Sequence, residues 1–165
     1  PWAAHQFDPQ LTGADGTWHK EEWGEPLIIN GICDVEDAKS AAETGADAII
    51  VSNHGGRQLD GAPSSISVLP AIVDAVGHKT EVLMDGGIRS GQDLLKALAL
   101  GAKGALIGRI MAFGLGAGGE AGVARALEIV RKETDTTMAL MGERDIRNIG
   151  LHNIYSNDLE RRQGY

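Results

Sequence analysis

Two features of the chain predict an α/β fold built on a parallel sheet. Short, continuously apolar runs alternate with helix signals, the pattern of strands covered by helices. The chain also repeats itself. Gly31-Ile32, Asp37 and Gly45-Ala46 recur as Gly87-Ile88, Asp93 and Gly101-Ala102, each 56 residues further on. A repeat of that length holds two strand–helix units, a quarter of a (β/α)8 TIM barrel. Two repeats make four strands. A whole barrel takes about 250 residues, and four curved strands leave two unpaired edges. The expected fold is therefore the C-terminal half of a (β/α)8 barrel, strands five to eight with their helices. The alternative is a complete open-sheet domain.

The elements follow in order. Residues 1–25 form a lead-in that holds all three tryptophans, Trp2, Trp18 and Trp23. A short helix over 19–23 is its only candidate element, and no amphipathic pattern is visible over 12–22. Residues 26–150 carry the four β/α units. The run 27–29 is the first strand. Asp34 is the N-cap of a helix through Thr44, stopped by Gly45. The second strand is 48–51, followed by a glycine-containing loop over 54–65 and a helix over 66–76. The third strand is 81–84. Ser90 and Asp93 resemble a capping box at the start of a helix to Leu100, ended by Gly101. The fourth strand is 105–107, and helical patterning then runs from about 110 to 140. Residues 151–165 read as a polar surface tail.

Composition narrows the function. Apolar residues make up 42% and charged residues 23%, as in a globular domain. The net charge of −8 argues against a general nucleic-acid binder. The 23 glycines exceed the usual share of about 7% without a three-residue period. They cluster at the ends of apolar runs, where tight turns need them. No apolar run reaches the roughly 20 residues that span a bilayer. The N-terminal residues lack a signal peptide's basic start and apolar stretch. The single cysteine, Cys33, has no internal disulfide partner, and a reducing, cytoplasmic setting is expected.

In a barrel, chemistry lies at the C-terminal ends of the strands. There, Gly86-Gly87 lets a backbone approach a ligand closely, and the helix that follows presents N–H groups. Arg89 and Arg109 each stand just past a strand. Glycine amides, a helix N-terminus and two arginines suit a phosphate; the competing reading is two tight turns with solvated arginines. His54 and Arg57 share the glycine-rich loop after the second strand. A histidine there can act as a general base, and Arg57 can hold a carboxylate through two parallel hydrogen bonds. A structural histidine–turn contact is the alternative. Cys33 reads as a buried structural thiol, Asp60 as a loop-fixing carboxylate, and Met138 with Met141 as core. Residues 114–119 read as close helix packing. Lys20, Glu21 and Glu22 read as a solvated face. His5, His19, His78 and His152 show no metal spacing, and no metal is expected.

Residues 52–61, 85–89 and Gly108-Arg109 resemble the FMN-dependent α-hydroxy acid oxidase and dehydrogenase family. The run His54-Gly55-Gly56-Arg57-Gln58-Leu59-Asp60 is highly specific to it. The resemblance extends from about Phe7 to Ile149, under half of a family member. Residues 61–65 and 114–125 look most like its bacterial L-lactate dehydrogenase branch. The resemblance implies FMN as cofactor and oxidation of a 2-hydroxy acid to the 2-oxo acid. It implies His54 as the active-site base and Arg57 as the ligand of the substrate carboxylate. It places Asp85, Gly86, Gly87, Arg89, Gly108 and Arg109 on the phosphate and ribityl chain, with Asn30 and Ser52 beside the flavin ring. The family carries a lysine where this chain has Asn30, and its catalytic aspartate and substrate-contacting tyrosines lie upstream of this chain. The chain alone is expected to be inactive and to need the N-terminal half of its barrel. The alternative is a non-catalytic half-barrel that only binds flavin or phosphate, or assembles. A homo-oligomer, a tetramer by resemblance, is expected, in the cytoplasm and at most peripheral to the inner membrane.

Overall fold

A computed structural model describes residue 10 and residues 12–155. The order along the chain is α1 (Gly13–Trp23), β1 (Ile28–Ile32), α2 (Val35–Glu43), β2 (Ala48–Val51), α3 (Ser65–Val76), β3 (Glu81–Met84), α4 (Gly91–Ala99), β4 (Gly104–Ala105) and α5 (Arg109–Met141). Short 3₁₀ turns follow at Ile146–Asn148 and Leu151–Asn153. The strands form one parallel sheet in sequential order, β1-β2-β3-β4. Among the described residues, β1 and β4 therefore each keep one unpaired edge.

Alternation along the strands sets the layers. Ile49 and Val51 on β2 and Val82 and Met84 on β3 join one core cluster with Ala38 and Ala41 of α2, Leu69, Ile72 and Val76 of α3, and Ala97 of α4. The intervening positions register across the sheet, Asn30 with Ile50 and Ile50 with Leu83. On that series Ile28 is half exposed. The helix layer thus covers the face that carries Ile49 and Val82.

The predicted elements are present, with corrections at their ends. β1 runs through Gly31 to Ile32, beyond the expected 27–29. β4 is only Gly104–Ala105, so the apolar residues Leu106 and Ile107 belong to the turn that follows. α3 starts at Ser65, one residue early. Asp34 caps α2, its side chain accepting from Glu36 N–H at 2.8 Å. Ser90 caps α4 by accepting from Asp93 N–H at 3.2 Å, while Asp93 accepts from Arg89 N–H at 3.0 Å, one residue short of a capping box.

Three expectations fail. Residues 12–22 do contain a helix. α1 lacks an apolar stripe and docks through polar groups: Lys20 Nζ donates to Gly45 O at 2.5 Å and pairs with Asp47 at 3.0 Å. Lys20 is therefore a clasp onto the α2–β2 turn and not part of a solvated face. The long C-terminal helix breaks at Gly118 and Gly119, where the backbone leaves helical values. The chain folds back there, and a methyl at Gly114 would lie 2.7 Å from Gly122 O. The Gly-rich stretch is close backbone packing, as its sequence suggests. Residues 151–155 lie at the surface, as their sequence suggests, with 151–153 tied to the fold: Glu143 Oε1 contacts His152 Nε2 at 3.1 Å and accepts from Asn153 Nδ2 at 3.2 Å. Trp2, His5, the lead-in residues 1–9 and the tail residues 156–165 lie outside the described residues.

Candidate functional site

The three turns that follow β2, β3 and β4 meet at one end of the sheet, around a cavity of about 520 Å³. The β2 turn contributes His54, Gly55 and Arg57. The β3 turn contributes Asp85, Gly86, Gly87 and Arg89, and the β4 turn Gly108 and Arg109. Four apolar residues, Ile88, Leu106, Ile107 and Ala112, complete the wall. Sequence reasoning did not single these out; their signal is position, each lying within five residues of a predicted site glycine or arginine. Three arginines against one aspartate make the cavity a cationic site on an acidic chain.

The β2 turn has an unusual backbone. His54, Gly55 and Gly56 sit at φ of +51°, +68° and +72°. Three successive left-handed residues are costly for side-chain-bearing positions, so two of the three are glycine. His54 is the only non-glycine residue at positive φ among the described residues. Side chains hold it there. Ser52 Oγ accepts from His54 N–H at 3.0 Å, and Asn53 Oδ1 accepts from Gly55 N–H at 3.0 Å. Asn53 Nδ2 donates to Pro63 O at 3.1 Å, closing the loop on itself. From the far side of the cavity, Arg109 Nη2 donates to Gly55 O at 3.1 Å. Non-glycine residues held in such conformations cluster at functional sites.

Not every predicted site residue meets the cavity. Ser52 is buried, and its hydroxyl supports the His54 turn. Asn30 is exposed at the C-terminal part of β1, outside the cavity wall. Cys33 is half-buried and donates to Ser52 O at 3.1 Å. Burial pushes its thiol pKa up, and the nearby Asp85 charge adds to the rise. Asp60 holds its own loop, accepting from Gly61 N–H at 3.1 Å. Among the described residues no cluster of three or more His, Cys, Asp or Glu side chains could hold a metal.

The helix that could serve an anion is not the one expected. Gly91 N–H in the first turn of α4 donates to Glu133 Oε2 at 2.9 Å, and Asp93 N–H goes to Ser90. The start of α4 is thus occupied by protein groups. α5 instead begins in the cavity wall, and its N-cap, Gly108, has no side chain to cover the first N–H groups. Those donors, Arg89 and Arg109 are the chemistry a phosphate needs. A methyl at Gly87 or Gly108 would meet no atom within 4 Å, so there is open space on that side. The residues present therefore fit a phosphate-bearing cofactor.

A cationic, glycine-lined cavity at the C-terminal ends of parallel strands makes this an α/β protein with a site suited to an anion. The particular family follows from comparison. Residues 1–156 match the family described as FMN-dependent dehydrogenase, and the chain belongs to that family, whose cofactor is FMN. It is 54% identical over 148 residues to the L-lactate dehydrogenase of Caulobacter vibrioides, covering 90% of this chain and 39% of that protein. It is 52% identical over the same length to the L-lactate dehydrogenase of Azorhizobium caulinodans. Among solved structures it resembles (S)-mandelate dehydrogenase, a monotopic membrane protein, with a TM-score of 0.88 and 38% identity over 93% of this chain and 41% of that one. Mandelate oxidase with benzoyl-formic acid superposes with a TM-score of 0.80 at 44% identity, over 85% of this chain and 44% of that one. The chain spans about two fifths of the length of the curated relatives it matches. Among the described residues no helix is long and apolar enough to cross a membrane.

Proposed function

We propose that this chain forms the FMN-phosphate and substrate-carboxylate side of an L-2-hydroxy acid dehydrogenase, with L-lactate the favoured substrate. In this reading residues 26–150 are strands five to eight of a (β/α)8 barrel, and the whole chain is one part of that single domain. One observation carries the proposal: a histidine and three arginines on three successive strand-end turns line one cavity. The identity to L-lactate dehydrogenases supports the choice of substrate.

Each residue then has a role. Arg89, Arg109 and the first N–H groups of α5 hold the phosphate, with Gly86, Gly87 and Gly108 admitting it closely. Asp85 would reach the ribityl chain and Asn30 would stand beside the ring, with Ser52 behind it holding the His54 turn. When bound, FMN supplies the two-electron acceptor. Arg57 grips the substrate carboxylate and so orients the C2–H and hydroxyl. His54 accepts the hydroxyl proton at its ring nitrogen. Loss of that proton and of two electrons with the second proton converts the alcohol to the ketone.

The N-terminal half of the barrel would extend the sheet from the open edges of β1 and β4. An apolar groove of about 690 Å³ beside β4, floored by Ile107, Leu127, Val130 and Met138, is a seat for that half. Assembly as a homo-oligomer, a tetramer by family resemblance, and peripheral membrane association belong to the same reading. A second reading, a non-catalytic half-barrel, draws on Asn30, which is uncharged where the family carries a lysine. The deciding experiment is anaerobic mixing of the flavin-loaded protein, reassembled with the N-terminal half of its barrel, with L-lactate. Bleaching of the flavin absorbance, lost in His54→Gln, is expected; a flavin-loaded protein that L-lactate leaves oxidised refutes the catalytic reading.

A further inference from the structure

Two irregular backbones meet at the rim of the sheet. On β1, Asn30 pairs with Ile50 and Ile32 with Val51, which leaves Gly31 as an extra residue in a parallel ladder. Bulges of this kind re-aim what lies beside them. Gly31 has a φ of +105°. On the neighbouring turn, His54 is held at φ +51°. The two touch: a methyl at Gly31 would lie 2.6 Å from His54 Nε2, 3.3 Å from Cε1 and 3.6 Å from Cδ2. In this rotamer the Nε2 edge of the imidazole thus rests on the β1 backbone, and a methyl at Gly31 would require the ring to shift.

We propose that Gly31 is a positioning residue, the seat against which the His54 imidazole is set. This rests on the reading of His54 as proton acceptor. The hydrogen bonds around the turn act on backbone atoms: Ser52 on His54 N–H, Asn53 on Gly55 N–H, Arg109 on Gly55 O. They fix where the ring is attached and leave its two side-chain torsions free. An exposed imidazole would exchange among rotamers. The bulge limits that exchange by placing backbone against one edge of the ring. The competing explanation is that Gly31 is glycine for its φ alone. The two explanations differ in one respect. A backbone penalty is the same whether or not an imidazole is present, whereas a seating contact disappears with the ring.

A double-mutant cycle on the full 165-residue chain separates them. Gly31→Ala, His54→Ala and the double variant are compared by urea midpoint. Gly31→Ala is expected to lower the midpoint more in the presence of His54 than in the His54→Ala background. Equal losses in both backgrounds overturn the proposal. So does a double variant that recovers nothing when Gly31→Ala alone is unfolded. The unaltered chain gives an independent check: nuclear Overhauser contacts from the Gly31 α-protons to His54 Hε1 and Hδ2 are expected, and their absence overturns the proposal. In a folded Gly31→Ala protein the His54 ring-nitrogen shifts should move while those of His78 and His152 stay. His54→Gln, assayed by flavin reduction with L-lactate in the barrel reassembled with its N-terminal half, tests the base assignment separately. Full reduction there would remove the proton-acceptor reading even with the Gly31–His54 coupling intact.

Discussion

Replacing Arg109 should divide two tasks that one guanidinium performs. In the structure it donates to Gly55 O at 3.1 Å and so tethers the His54 turn to the start of α5. In the proposed function it also faces the cofactor phosphate. The tether is solvent-exposed, so screening and side-chain entropy hold its worth to about 1 kcal/mol or less. A charge-assisted bond to phosphate contributes about 1.5–3 kcal/mol. At about 1.4 kcal/mol per tenfold, the sum of about 1.5–4 kcal/mol means that Arg109→Met should weaken FMN by roughly 10- to 700-fold when both are lost. Riboflavin has no phosphate and should lose only the tether, about fivefold at most. Arg109→Lys keeps the charge without the fork and should fall between wild type and Arg109→Met for FMN. The assay is titration of apo-protein with each flavin, followed by quenching of flavin fluorescence. Equal weakening of FMN and riboflavin would refute the phosphate role and leave Arg109 as a tether alone.

Other outcomes follow from the same geometry. Glu133→Ala should lower stability by about 1–3 kcal/mol, because it strands the buried Gly91 N–H that Glu133 accepts from at 2.9 Å; Glu133→Gln should cost about half as much, and thermal melts that leave both variants at wild type would contradict this. Gly16→Ala should raise Tm by about 2–4 °C, since its methyl would sit 3.7 Å from Thr44 Cβ and 3.9 Å from Leu27 Cδ2 inside a helix; a lowered Tm would show that the α1 contact has no room. Asn30→Lys should raise the flavin reduction potential by several tens of millivolts, where about 30 mV is a tenfold change for two electrons; an unchanged or lower potential would place Asn30 away from the flavin. The hydrogen bonds from Arg147 lower the Asp145 pKa from 3.8 to about 2. A folded pKa below the unfolded one stabilises fully above about pH 4 and is lost as pH falls through about 2. The protection factor of Arg147 N–H, with the intrinsic pH dependence of exchange divided out, should therefore fall only below about pH 4; a loss of protection beginning nearer neutrality would refute the pairing.

The elements legible in the sequence are those whose causes are local. Continuous apolar runs marked β1, β2 and β3, and Asp34 and Ser90 announced α2 and α4, because a cap satisfies its own helix. The 56-residue repeat implied parallel strands, and the turns bearing His54, Arg57, Asp85, Arg89 and Arg109 were visible as glycine-bounded clusters after strands. Where chemistry depends on residues distant in sequence, tertiary structure alone decided the outcome. The start of α4 is occupied because Glu133, 42 residues on, reaches Gly91. That leaves α5 as the free helix start in the cavity. Lys20 looks solvated in sequence and is bound because Gly45 and Asp47 come to meet it. Only the last part of α1, residues 19–23, was legible, because the helix docks through polar groups and leaves no apolar period to read. The bulge at Gly31 has no local signature either. A glycine at the end of a strand signals freedom, and only the arrival of His54 from the next turn reveals what that freedom is for. Hydrophobic pattern and capping act over a few residues and are written along the chain. The partners of a charge or a bulge are set by packing, which a linear sequence does not display.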